Sequence, residues 1–356
     1  MFSRLSSDTN QSGVSLPRKW LGEQQSLLIL LFYLLLITIG ELLTISYPFW
    51  GLLVHVALLV ALLLHAGFRW ETKESRLILT LVLAPMVRIV SFGLPPMGLN
   101  LIYYIFIASL PLFVATFMIL NLLQIRWVWP KRMNIKQVFI QLLIAGTGCI
   151  LGVMEYYILR PQPLYETFSL VNILLPGAIL FLSTGLLEEL VFRRMMQEPA
   201  INYLGIHTGI WYIAAIFAVL HIGYASVLDV VFVMSVGVMF GYFVLWTDSI
   251  IGVTLAHGLT NSFLFLIMPF VAIEYGIGPQ PSLPLNPIDP IPIEEPIGNP
   301  EILEPVLTTP LNPTPTSSTL SIEEPSPIVP ATITPIPTAT PTAYIMPNSH
   351  HNVQLI

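Results

Sequence analysis

The pattern of apolar and polar positions along the chain predicts transmembrane helices. Apolar runs close to the ~20 residues that a helix needs to cross a bilayer recur from Ser26 onward, and polar or Pro- and Gly-containing breaks separate them. Because unpaired backbone groups are costly in lipid, such segments must be helical. We predict an all-α transmembrane bundle of about nine spans, at 26–46, 48–68, 76–94, 99–123, 137–159, 168–192, 209–224, 227–246 and 250–273.

Basic residues are concentrated at alternate ends of these spans. They precede span one and lie between spans two and three, between spans four and five, and after span six, whereas the other connections contain little beyond Arg160. The positive-inside rule then predicts that the N-terminal segment 1–25 is cytoplasmic. With nine spans, the C-terminal segment 274–356 lies on the extracytoplasmic side, and it contains no Lys or Arg.

Composition supports a multi-pass protein of the cell membrane, with the lipid bilayer as its solvent. The chain is 55% hydrophobic and only 10% charged, which excludes an ordinary soluble domain. We expect no nucleic-acid partner. Its one cysteine, Cys149, allows no disulfide framework and no cysteine-based metal site. The segment 274–356 is rich in Pro, Thr, Ser and acidic residues, so we predict a disordered tail, either a surface spacer or a dispensable extension.

Ionisable residues inside predicted spans are expensive and indicate function. Span six contains Glu188, Glu189 and Arg193. Glu189 and Arg193 lie one helical turn apart and are predicted to pair. Glu188 is turned ~100° away from Glu189 and has no partner in its own helix. Its carboxylate is therefore a candidate general base or acid.

Three further polar residues occur on the later spans. His221 follows Phe217 by four residues on span seven, so its ring is predicted to stack on that phenyl ring. His257 and Asn261 are also four residues apart, so both point from one face of span nine. Together with Glu188, these groups could activate a water molecule, with or without a metal, and stabilise an oxyanion.

These motifs resemble the CPBP intramembrane peptidases, which include type II CAAX prenyl proteases and bacterial abortive-infection or bacteriocin-immunity proteins. The family pattern is a Glu-Glu pair followed by Arg after three residues, a Phe four residues before a His, and a His four residues before an Asn. All three parts occur here in that order. The resemblance predicts a protease domain at 168–273, behind N-terminal transmembrane helices at 26–160.

The resemblance also implies a role for each residue. Glu188 would activate water with His221 as its partner, and His257 and Asn261 would be further site ligands or oxyanion donors. The Glu189–Arg193 pair would support them. The chain has no His-Glu-x-x-His zinc motif, but His221 and His257 could form an open zinc site, so we leave Zn²⁺ as an open cofactor.

The predicted activity is that of an intramembrane endopeptidase. It would hydrolyse a peptide bond in a membrane-associated or lipid-anchored peptide, at or just within the cytoplasmic side of the bilayer. Other ionisable residues within the spans could line a conduit or bind a lipid headgroup, but we expect them to pair across helices; they are Glu41, His55, His65, Arg88, Glu155 and Asp229. A non-enzymatic immunity or scaffold protein is the main alternative, in which the polar groups would not converge. A small-solute transporter with relay groups is a third hypothesis.

Overall fold

A computed structural model describes residues 16–70, 72–94, 100–125, 133–165 and 167–282, and every regular element in these residues is helical. Nine described helices are long and apolar enough to cross a membrane, which confirms the predicted all-α fold. They are spans one to nine: Leu27–Ser46, Pro48–Phe68, Lys73–Gly93, Leu101–Leu122, Ile135–Leu159, Leu170–Leu204, Ile206–Tyr224, Val227–Thr247 and Ile251–Tyr275. The helix that contains span one begins at Leu16.

Span six differs most from its predicted bounds. The apolar pattern predicts an end at Phe192, but the helix continues to Leu204 and is 35 residues long. Arg193 is therefore not in a connection: it is 3% exposed and lies inside the bundle. The backbone is π-helical at Phe181–Leu186 and at Leu190–Met196, on both sides of the two glutamates. Such segments are rare and frequently occur at functional sites.

Spans five and nine pack closely enough to require glycine. A side chain added at Gly148 would overlap the carbonyl oxygen of Ala256, and one added at Gly152 would overlap that of Thr260. Small residues four positions apart let the backbones of membrane helices approach in this way. Thr260 also donates a hydrogen bond to the Gly148 carbonyl, at 3.2 Å. This contact fixes the depth of His257 relative to span five.

Spans one to three, here called the front bundle, contain a buried ionic network. The Nε of Arg88 donates to both carboxylate oxygens of Glu41 at 2.7 Å, and Nε2 of His55 lies 3.4 Å from the same carboxylate. Arg88 also donates through Nη2 to the carbonyl of Leu220 on span seven. Pairing across helices, as the sequence predicts, thus accounts for these residues.

The chain after span nine folds back on the connection between spans five and six. Ser282 donates its backbone N–H to the Arg160 carbonyl at 2.9 Å, and the hydroxyl of Tyr156 donates to the Pro279 carbonyl at 3.1 Å. Residues 274–282 therefore belong to the helical part rather than to the predicted tail. The rest of that tail, 283–356, lies outside the described residues, as do residues 1–15.

Candidate functional site

A cavity of about 170 Å³ lies between spans four to nine. Spans six, seven and nine contribute to its lining the four polar residues whose convergence the sequence predicts: Glu188, His221, His257 and Asn261. They come from three different spans, and the tertiary fold brings them to one place. The surrounding wall is mostly apolar and aromatic, so polar groups inside it act in a low-dielectric setting.

His257 lies between the two adjacent glutamates. Its Nδ1 is 2.9 Å from Oε1 of Glu189, and its Nε2 is 3.4 Å from Oε2 of Glu188. Both nitrogens thus face a carboxylate, which favours a doubly protonated ring. The contact of Glu188 is therefore with His257, rather than with His221 as the resemblance implies.

Glu189 and Arg193 form the predicted pair and hold the aromatic side chain of span seven. Nε of Arg193 lies 3.2 Å from Oε2 of Glu189, and both side chains are almost fully buried. The Arg193 guanidinium also lies 5.0 Å from the centre of the Phe217 ring. Glu189 thus links Arg193 to His257, and this buried network fixes the ring that contacts Glu188.

His221 is held in one tautomer by its own helix. Its Nδ1 is 2.9 Å from the carbonyl oxygen of Phe217, which can only accept a hydrogen bond. The proton therefore lies on Nδ1, and Nε2 remains an acceptor. The Phe217 and His221 rings are 4.8 Å apart at an angle of 64°, so they meet edge to face and not in the predicted stack.

Asn261 is oriented by a residue that the sequence analysis misses. Its side-chain Nδ2 donates to the hydroxyl of Thr184 at 2.8 Å, and Thr184 in turn donates to the Leu180 carbonyl. Thr184 also lines the cavity, four residues before Glu188 on span six. That spacing is the signal that sequence reasoning could have used.

Two ionisable side chains also line the cavity without having been predicted as site residues. Glu155 comes from span five and Tyr224 from the end of span seven. The Tyr224 ring stacks on His221 with the ring centres 6.1 Å apart. The sequence analysis expects Glu155 and Asp229 to pair across helices, yet in the described chain neither forms a salt bridge with Lys or Arg. Glu155 instead lines the cavity, in agreement with the other possibility that the sequence leaves open.

The cavity extends toward one face of the bundle. Its lining includes Leu101 at the start of span four, Leu164 between spans five and six, and Tyr224 at the end of span seven. Successive spans run in opposite directions, so this face lies opposite the span ends that carry Lys73 and Lys136. The predicted orientation and the predicted cytoplasmic access are therefore incompatible.

The described donors do not fit a metal ion in this arrangement. No group of three or more His, Cys, Asp or Glu side chains in the described ranges is placed to hold one. The geometry gives the reason: both nitrogens of His257 face carboxylates, and Nδ1 of His221 faces a carbonyl. Only Nε2 of His221 is left as a nitrogen ligand, which is too few for a zinc site.

Comparison with known proteins adds one finding. Residues 170–263 match the family model described as type II CAAX prenyl endopeptidase Rce1-like. This segment contains all six predicted site residues, and the match confirms the resemblance to the CPBP peptidases. At family level it supports an intramembrane CAAX-type endopeptidase. No curated protein and no solved structure matches the chain.

Proposed function

We propose that this chain, whose segment 170–263 matches a family of endopeptidases, hydrolyses a peptide bond in a membrane-anchored peptide with water activated by Glu188. One observation carries the proposal: a carboxylate, two imidazoles and a carboxamide from three spans line one buried cavity. These are the groups that general-base hydrolysis needs, and no packing requirement explains their presence together.

Attack begins with a water molecule between Glu188 and His221. The Nε2 acceptor of His221 orients one hydrogen of the water, and the Glu188 carboxylate removes the other proton as oxygen attacks the carbonyl carbon. His257 keeps the Glu188 carboxylate in place through its 3.4 Å contact. In this scheme His257 is a positioning residue that Glu189 holds from the other side.

The oxyanion forms beside Asn261. The side-chain amide of Asn261 has two N–H groups, of which Thr184 accepts one, so the second is left for the developing negative charge. Glu188 then delivers its proton to the departing amine as the carbon–nitrogen bond breaks. The cycle returns Glu188 to the carboxylate, and the products are a new carboxyl group and a new amino group.

We place access to this site on the extracytoplasmic side. The charge asymmetry is strong, because the face toward which the cavity extends carries only Arg160, while the opposite span ends carry most of the basic residues. Substrates would then be exported or membrane-inserted peptides whose scissile bond reaches the site from outside.

The test is cleavage of lipid-anchored peptides by the purified full-length protein in liposomes. Glu188→Gln keeps the size of the side chain but removes the base, so we expect turnover to fall by about 10²- to 10⁴-fold. Glu198→Gln is the matched control, because Glu198 is a partly exposed carboxylate on the same span, outside the cavity. Equal activity of the Glu188→Gln variant and the wild type would refute the proposal.

The immunity or scaffold hypothesis predicts that the polar groups stay apart, and their common cavity counts against it. It remains the alternative if no peptide is cleaved. The transporter hypothesis stays an untested prediction.

A further inference from the structure

Two acidic residues, Glu155 and Asp229, here called the acidic wall, lie on spans five and eight, which both line the cavity, and take no part in the mechanism. Glu155 lines the cavity directly and is only 6% exposed. Asp229 is fully buried one helical turn before Phe232 and Val233, which line the cavity from the same face of span eight.

Within the part of the chain that the structure describes, the acidic wall forms no salt bridge. The cationic ring of His257 lines the same cavity, but its two nitrogens already face Glu188 and Glu189. Neither carboxylate oxygen of Asp229 has a hydrogen-bond partner in the described part of the chain. Glu155 forms no described hydrogen bond either, and the cavity lining contains no Lys or Arg. Burying carboxylates without a partner is costly, so a cationic group entering the cavity would gain the interaction that the protein does not supply.

We infer that the acidic wall is a specificity site for a positively charged group of the substrate, a basic side chain close to the scissile bond. Tyr224, whose ring stacks on the proposed water-orienting residue His221, lines the same cavity as Glu155. The cavity is small, so at ~3.3 Å per extended residue the cation lies within about three residues of the cleaved bond.

The same charges disfavour a substrate of the CAAX type. A CAAX motif lies at the C-terminus of a protein, so its free carboxylate would enter close to the scissile bond. The cavity is lined by Glu155 and Glu188, its described lining has no Lys or Arg, and His257 already faces two glutamates, so that carboxylate is repelled. The match to the family model therefore does not imply a CAAX substrate for this chain.

This inference rests on the proposed function, and the experiment separates the two. Lipid-anchored peptides that differ only in having Lys, Gln or Glu near the scissile bond are given to the wild type, and cleavage is read by mass spectrometry. We expect kcat/KM to favour Lys by about tenfold over Gln, mainly through KM. Glu155→Gln should abolish this preference, whereas Glu198→Gln should keep it.

A binding arm uses the Glu188→Gln protein, which we expect to bind peptides without turning them over. One outcome is that the Lys peptide binds best, that Glu155→Gln removes this preference, and that the wild type cleaves no peptide. This outcome would support the acidic wall as a binding site and refute the proposed peptidase activity. Cleavage of all three peptides at the same rate would support the peptidase activity and refute the acidic wall as a specificity site. An equal loss for all three peptides in Glu155→Gln would assign Glu155 a structural role and overturn the inference. Asp229→Asn is the second variant if Glu155→Gln does not fold.

Discussion

At the scale of single residues, two adjacent arginines on span six differ in how much they contribute to stability and to the site. Arg193 is buried against Glu189 and Phe217, whereas Arg194 lies 3.6 Å from the partly exposed Glu198. Losing a buried cation leaves a buried carboxylate without its partner, while an exposed pair contributes little. Arg193 therefore supports the site, and Arg194 does not.

We predict that Arg193→Met destabilises the protein by about 3–5 kcal/mol and lowers turnover, because Glu189 can then no longer hold His257. Arg194→Met should cost about 1 kcal/mol or less. Denaturant unfolding in detergent, with activity measured on the folded fraction, checks both. Similar losses of stability in the two variants would contradict the proposed network.

The contacts of His257 also bear on whether the proposed activity requires a metal ion. Because both of its nitrogens face glutamates, we predict that strong chelators leave the rate of peptide cleavage unchanged. The measurement compares protein dialysed against chelator with protein to which zinc is restored. A loss of activity that zinc reverses would show that the site rearranges to bind a metal.

The spacing of residues along a helix explains which site residues can be predicted from the sequence. Glu189 with Arg193, and His257 with Asn261, are pairs one helical turn apart, so periodicity alone places each pair on one face. Glu155 is a lone carboxylate on an apolar span, and nothing in its own segment says which neighbour it meets. Its position in the cavity follows from the packing of span five on span nine, which a local pattern does not contain.

At the scale of helices, the contact between spans five and nine sets the depth of the site. Gly148 faces the Ala256 carbonyl, whereas Gly146, two residues earlier on the same helix, has open space where a side chain would be. A methyl group at Gly148 must push the helices apart and move His257 away from the glutamates. The same group at Gly146 meets nothing.

We therefore predict that Gly148→Ala destabilises the protein by about 1–3 kcal/mol and reduces cleavage. Gly146→Ala should be neutral or stabilising by up to about 1 kcal/mol, because Ala favours a helix more than Gly does. Thermal unfolding of both variants in the same detergent is the measurement. A greater loss at Gly146 would mean that this interface is wrongly placed.

Span bounds follow from the apolar pattern to within a few residues, except at the end of span six. A charged pair normally ends a predicted span, so the sequence places its end at Phe192. The helix continues because Glu189 and Phe217 offset the cost of burying Arg193. The π-helical segments on either side of Glu188 have no comparable signal in the sequence.

At the scale of the whole molecule, the side of the membrane on which the cavity opens decides which peptides can be substrates. The exposed Gln162 lies in the connection between spans five and six, at the cavity face, and the exposed Trp70 lies in the connection between spans two and three, at the opposite face. These two positions report the orientation without altering any charge.

We predict that Gln162→Cys is labelled by a membrane-impermeant maleimide in intact cells and that Trp70→Cys is labelled only after permeabilisation. Both variants are made in a Cys149→Ala background to remove the native thiol. The reverse pattern would place the cavity on the cytoplasmic side and would refute the proposed access.

The hydrogen bond from Arg88 to Leu220 limits how freely segments of this protein can be exchanged with those of other proteins. Leu220 directly precedes His221, so a residue far outside the family-matched segment holds the backbone beside the site. A chimaera that joined the later spans to a different N-terminal half would inherit the motifs but not this donor. The matched segment is therefore not a transferable module, and changes in the front bundle should be coupled in evolution to changes around His221.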